Sequence, residues 1–319
     1  MYLGLWQSFT QAFGDWLQAP MCRLFGFRSV IPSQVHRSLL AAENALGVQS
    51  NAHPDGWGVA YYIDGSPHLT KSPLTAVGDV LFHRLSGVVS SETVLAHVRK
   101  ATQGPKTIIN CHPFQYGRWV FAHNGDIPNF SVCREALLAE VSPGLRRFIL
   151  GDTDSEVVFF VFLSRLQALG PLSRRYSTEE VSQCLASALS AVRRVAARPE
   201  LQLPRVNADG SENTASTAPC ELTVIVTDGE TLVATHGGRG LFLSTYKRRC
   251  PDRDECPSLS GACEAPTEVG HVNHLILSSE PLQGENVWEP LNPGDMVGVD
   301  WRMRLMRSHV DQLRLPVLN

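Results

Sequence analysis

The chain has 319 residues, 43% hydrophobic and 18% charged, with a net charge of -3. That length supports a sizeable core in one large domain or two small ones, and the modest charged fraction fits much buried strand. The balance of charge excludes the basic footprint of a nucleic-acid binder and the acidic run of a disordered tail. No apolar stretch reaches the length of a membrane span.

Residues 1–20, "MYLGLWQSFTQAFGDWLQAP", contain no Lys or Arg and so lack the basic start of a secretory signal. Their apolar residues Leu5, Trp6, Phe9, Phe13, Trp16 and Leu17 fall at roughly helical spacing. Three readings stay open: an upstream start codon with Met21 the working start, a propeptide that is removed, or a retained amphipathic helix. From Cys22 to Phe27 the run predicts a buried strand. Ser33 to Leu46 has helical periodicity with Ser33 as a candidate N-cap. Asn51 to Gly58 is a turn cluster, and Trp57 to Ile63, Thr93 to Arg99 and Arg118 to His123 are strands. Asn129 to Val141 is helical. Thr153 to Leu169 is a helix apolar most of the way round, and Thr178 to Ala197 is a more amphipathic one. Arg205 to Pro219 reads as a loop. Short strands follow at Glu221–Thr227, Thr231–Thr235, Leu241–Thr245, Asn273–Ser278 and Met296–Asp300. Strands and helices in mixed blocks favour an α+β layered fold over a doubly wound one.

Polar side chains cluster at predicted strand ends. "LAHVRKATQG" sets His97, Arg99 and Thr102 at one, "FAHNGDI" sets His123, Asn124 and Gly125 at another, and "NCHPF" puts Asn110 and His112 between them. "GDTDSE" sets Asp152 and Asp154 at the head of the buried helix. Each has a plain structural explanation taken singly. Asn-Gly is a turn pair, Thr153-x-x-Glu156 is a capping box, and a lone histidine is usually a satisfied core residue.

The ordered set is more informative. Cys22 in "MCRLFGF", then "HPDGWG" at His53–Gly58, "HVRKATQG" at His97–Gly104, "HNGD" at His123–Asp126 and "DTDSE" at Asp152–Glu156 resembles the glutaminase domain of class II glutamine amidotransferases, which are N-terminal-nucleophile hydrolases. The stretch is similar to their stand-alone subfamily, which includes amidohydrolases of ergothioneine synthesis and of γ-glutamyl peptide breakdown; "LILSSEPL" at Leu275–Leu282 fits as well. The resemblance implies a four-layer αββα sandwich, with residues 22–319 as one domain and 1–21 an extension that is removed or never made. It implies Cys22 as the nucleophile, activated by its own α-amine once Met21 is gone. A free α-amine has a pKa of ~7.7–8.0, suited to a general base near neutral pH.

By the same resemblance the oxyanion is held by the Asn124 side chain and the Gly125 N–H. Arg99 binds the substrate α-carboxylate, Thr102 adds a hydroxyl, and Asp154 pairs with the α-ammonium. Asp55, Gly56, His97, His112 and His123 support the site, and Asp152 is left to structure or capping. The substrate is then glutamine or a γ-glutamyl amide, with ammonia released or passed to a separate subunit. No metal or organic cofactor is needed, and neither nucleic acid nor a membrane is a partner. The scattered cysteines of an enzyme-sized chain point to the cytoplasm.

Two rivals are a cysteine amidase acting on other conjugated amides, which Arg99 and Asp154 count against, and a non-catalytic binding protein that keeps its N-terminal helix. Cys250, Cys256 and Cys263, with His271 beyond, leave a metal site, a disulfide and a loop of unpaired cysteines all open.

Overall fold

A computed structural model describes residues 22–34, 37–202, 205–206, 212–213 and 219–313. The candidate helix within residues 1–20 lies outside the described residues, as does most of the predicted loop 205–219.

Two seven-stranded antiparallel sheets form the centre. The first is built from β1 (Arg23–Gln34), β2 (Trp57–Ile63), β3 (Ser66–Ser72) and β4 (Ser90–Val98). The second begins with β5 (Phe114–Tyr116) and β6 (Trp119–Asp126). A two-residue pair, β7 (Arg205–Val206) with β8 (Glu212–Asn213), stands apart. Next come β9 (Glu221–Thr227), β10 (Leu232–Thr235), β11 (Phe242–Ser244), β12 (Gly270–His271), β13 (His274–Ser278), β14 (Glu289–Pro290), β15 (Asp295–Val299) and β16 (Arg304–His309). The strand orders are β14-β11-β13-β1-β4-β2-β3 and β12-β16-β15-β10-β9-β6-β5.

Alternation along the strands creates the layers. On β1, Leu24 joins Ala60, Leu95, Val120, Ala122 and Ile225 in a core between the sheets, while Phe25 and Phe27 join Trp57, Val59 and Val94 on the outer face of the first sheet. Four helices matter: α1 (Val80–Val88), α2 (Phe130–Ala139), α3 (Asp154–Leu169) and α4 (Thr178–Ala196). The largest cluster packs α2, α3 and α4 against Trp119, Phe121, Val224 and Val226 of the second sheet. The first sheet has a thinner cover, in which Phe82 of α1 meets Trp57 edge to face at 5.0 Å between ring centroids. Burial of such rings contributes about 1.5–3 kcal/mol each. The result is an α+β sandwich of helices, sheet, sheet and helices, as the sequence predicts.

Four expectations need correction. Ser33 caps no helix. It lies in β1, opposite Ser91 of β4, and a single π-helical turn (Arg37–Ala41) and one α-turn (Leu46–Gln49) replace the predicted helix. Asn124 and Gly125 form no turn, because β6 runs through them to Asp126. The capping box of α3 is half made. Thr153 Oγ1 accepts from the Glu156 N–H at 3.3 Å, but the Glu156 carboxylate turns to the Leu150 and Gly151 N–H groups at 3.1 and 2.6 Å. Asp152 caps nothing, since the N-cap is Thr153.

Candidate active site

The order β13-β1-β4-β2 brings the distant motifs together. Cys22 stands at the head of β1, whose Arg23 pairs with Val98 at the end of β4. The chain leaving β4 passes the thiol. The Lys100 N–H donates to Cys22 Sγ at 3.2 Å, and Sγ lies 3.3 Å from the Lys100 carbonyl. A small cleft opens here, bordered by Cys22, Arg99, Thr102, Gly125, His123 and Asp154 among others.

Burial pushes the Cys22 thiol up to about 11, against the pull of the Lys100 backbone and the Arg99 charge. Roughly one thiol in ten thousand would then be ionised at pH 7, so attack from this position needs a base beside it.

Arg99 is nearly fully buried. Its guanidinium donates to the carbonyls of Pro105 at 3.1 Å, Gln103 at 2.6 Å and Gly104 at 3.2 Å. These neutral acceptors fix the fork and leave its charge uncompensated, which suits a carboxylate ligand. The Arg99 backbone is clamped too: Asp55 N–H donates to its carbonyl at 3.1 Å and its own N–H to the Gly56 carbonyl at 2.8 Å. Asp55 holds the following loop from behind, accepting from Ala101 N–H at 2.8 Å and pairing with Lys106 at 2.5 Å. Burial raises the Asp55 carboxyl, but the bonds from Lys106 and Ala101 outweigh it and hold the group below its usual range. Gly56 sits at φ 125°, and a side chain there would strike Cys111 Sγ.

Asp154 opens α3 and is 2% exposed. Its carboxylate accepts from Ile127 N–H at 3.0 Å and Ser155 N–H at 2.8 Å, while burial drives its pKa up. His123 contacts Ser155 Oγ at 2.8 Å through Nδ1 and the Glu221 carbonyl at 3.0 Å through Nε2. The carbonyl can only accept, so Nε2 donates to it and the ring is fixed in place. The His97 and His112 rings lie 4.2 Å apart between centroids at a tilt of 33°, and burial drives both far below the usual histidine range. They are neutral packing at this site, with His112 on the cleft wall.

Gly125 lines the cleft and lies so close to the Glu221 carbonyl that any Cβ would collide with it. Asn124 is 3% exposed, and its Oδ1 has no partner among the described residues. A buried acceptor left unpaired is costly unless a ligand donates to it. Thr102 is exposed at the mouth.

Sequence reasoning missed Ser155, which ties His123 to Asp154, and Lys100 and Gln103 on the cleft wall. All three lie within the quoted motifs, which was the available signal. Asn110, quoted without a role, bridges the loop: its Oδ1 accepts from Asp152 N–H at 2.9 Å and its Nδ2 donates to the Pro105 carbonyl at 3.1 Å.

All eight cysteines are free thiols. Cys250, Cys256 and Cys263 line a separate cleft of about 680 Å³ beyond the far end of β1. The histidine there is His274, not His271, which is exposed on β12. Among the described residues no three His, Cys, Asp or Glu side chains lie close enough to share a metal, and no helix is long and apolar enough to cross a membrane.

Known proteins fit this arrangement. Residues 21–201, more than half of the chain, match the family model described as glutamine amidotransferases class-II. A probable glutamine amidotransferase of Saccharomyces cerevisiae, DUG3, is 30% identical over 232 residues, covering 67% of this chain and 63% of that protein. The γ-glutamyl-hercynylcysteine sulfoxide hydrolase of Mycobacterium tuberculosis is 34% identical over 42% of this chain and 65% of its own. The chain thus spans somewhat under two thirds of these relatives. In fold it is similar to a glutamine aminotransferase class-II domain protein from Silicibacter pomeroyi, with TM-score 0.57 and 21% identity over 90% of this chain and 99% of that one. The glutamine phosphoribosylpyrophosphate amidotransferase of Bacillus subtilis gives 0.53 at 14% identity, over 91% of this chain and 50% of its own. With a family match over more than half its length, and with the family's fold and motifs in place, this chain belongs to the class II glutamine amidotransferases.

Proposed function

We propose that the protein hydrolyses the side-chain amide of glutamine or a γ-glutamyl amide, with Cys22 as an N-terminal nucleophile. The observation that carries this is the placing of Cys22 Sγ in one cleft with Arg99, Asp154 and Gly125. A thiol that burial holds near pKa 11 needs a base at its side, and the α-amine of Cys22 becomes that base when Met21 is removed. The family match begins at residue 21, which supports a working unit that starts at Cys22. Eight unpaired thiols support a cytoplasmic setting.

The amine takes the thiol proton, and sulfur bonds to the amide carbon. The oxyanion so formed is held by Asn124 and Gly125. The C–N bond then breaks, the amine returns the proton to the leaving nitrogen, and a γ-glutamyl thioester remains. Water attacks the thioester, giving the γ-carboxylate and restoring the thiol. The head group is held by Arg99 and Thr102 at its carboxylate and by Asp154 at its ammonium. His97, His112, His123, Asp55 and Gly56 position these groups. Ammonia released from glutamine could instead be consumed by a separate acceptor subunit.

Intact mass of the protein expressed from its full reading frame tests the first step, and hydroxylamine trapping tests the second. A chain beginning at Cys22 that yields γ-glutamyl hydroxamate in the presence of glutamine or γ-glutamyl-alanine is expected. An N-terminal Cys22 that forms no acyl enzyme with either would overturn the proposal.

A further inference from the structure

The first sheet carries a second cleft, on its outer face and away from Cys22. Its volume is about 680 Å³, a usual size for a small-molecule site. Strand alternation lays its floor. Phe27 and Ile276 stand opposite each other where β1 pairs with β13, and Ser29 and His274 come next on the same face. Antiparallel pairing builds one wall. Lys247, beyond β11, and Asn286, before β14, are bridge partners and so project to one side.

Three polar groups here are uncommitted. His274 is 8% exposed, and its Nε2 has no partner among the described residues. Asn286 Oδ1 is buried and also lacks one. Lys247 is half-buried, its charge acts on His274, and it makes no ion pair among the described residues. Buried polar atoms left unpaired are costly, and in a cleft a ligand can complete them. Lys247 donates, and a neutral imidazole donates through one nitrogen, so this pair suits a carboxylate. Asn286 Oδ1 only accepts, so it suits an N–H beside that carboxylate. Farther out, Asp252, Glu255 and Glu285 are exposed and make no ion pair among the described residues. Three carboxylates weigh against a polyanion such as a nucleotide and favour a ligand whose outer end is positive.

We propose that this cleft is a second ligand site, separate from the one at Cys22, for a short α-peptide with free termini and an apolar C-terminal residue. The peptide carboxylate meets Lys247 and His274, and the last peptide N–H donates to Asn286. The apolar side chain lies on Phe27 and Ile276, and the terminal ammonium faces the acidic rim. A free amino acid has one nitrogen to serve both Asn286 and the rim, whereas a dipeptide has one for each. The site uses nothing at Cys22, so it stands or falls apart from the hydrolase reading.

Calorimetry on the full chain tests this, with alanyl-leucine as the probe. Saturable one-to-one binding is expected. Alanyl-leucinamide lacks the carboxylate and N-acetyl-alanyl-leucine lacks the ammonium, and each should bind roughly tenfold more weakly. Lys247→Gln should abolish the preference for the acid over the amide. Lys247→Arg should keep most of it, which a loss of folding would not reproduce. No saturable binding of alanyl-leucine up to about 10 mM overturns the proposal. So does an acid preference that survives in Lys247→Gln, because the peptide would then be held elsewhere.

Discussion

Cysteines stand at both ends of β1, and what differs between the ends is the charge set around the thiols. Cys250, Cys256 and Cys263 are neighbours in sequence and share the wall of one large cleft. Their loop is tied down by contacts of its own: the Asn273 amide donates to Cys263 Sγ at 2.9 Å and to the Ser258 carbonyl at 2.7 Å, and Glu264 accepts from the Cys250 N–H at 2.6 Å. Cys22 is alone in sequence, yet it has a backbone donor on its sulfur, and Arg99 and Asp154 act on its charge. Proximity of thiols along the chain therefore says little about chemistry. A donor on sulfur is present at both ends, so it is the charges that tertiary structure sets around Cys22 that make the difference.

The sharpest way to break this contrast is to exchange the thiols for hydroxyls or methyls at each end. Cys22→Ala should lose at least about 10³-fold in glutaminase rate, while the triple change of Cys250, Cys256 and Cys263 to Ser should stay within about threefold. Steady-state turnover on glutamine or γ-glutamyl-alanine reads both. Inactivation of the triple variant with its fold retained, judged by circular dichroism, would place chemistry at the wrong end. A smaller effect is expected at Asn124. Asn124→Ala removes the Nδ2 donor that the proposal gives to the oxyanion, and should cost about 10²–10³ in kcat with little change in thermal midpoint. A large loss of stability with kcat unchanged would make Asn124 structural.

Much of this was legible in the sequence, for reasons that particular residues show. Glu221–Thr227 is a strand with the predicted bounds, because a buried strand is a continuous apolar run. Thr178–Ala196 has the strong one-sided periodicity of a surface helix. The family was legible because five motifs in fixed order are far more specific than any one. The failures have tertiary causes. "SQVHRSLLAAENAL" has helical spacing, but Ser33 and Gln34 are drawn into pairing with Ser91 and Ser90. β3 is polar and alternates weakly, although the Asp64-Gly65 turn, with both residues at positive φ, announced its hairpin. Glu156 abandons the capping box because two N–H groups of the preceding loop are nearer.

The smallest effect sharpens the comparison from the cysteine-loop side. His274 lies at the base of that loop's cleft, and burial, with Lys247 nearby, lowers its pKa to about 4. An unfolded histidine titrates near 6.5. Between those values the unfolded chain binds a proton at this position and the folded chain does not. Stability therefore rises with pH across the window, is fully present above about pH 6.5, and is lost as pH falls toward 4, with a slope of about 1.4 kcal/mol per pH unit. His97 and His112 add the same sign at the Cys22 end, since burial lowers both. In His274→Gln the acid limb should become shallower by about one proton's worth, while the pH profile of turnover above pH 6.5 stays as it was. Urea midpoints at pH 5 and pH 7 measure the limb directly. An unchanged slope would mean that His274 takes up its proton in the folded state, with the cleft opening to water on that side; a shifted turnover profile would mean that the two ends of β1 are coupled.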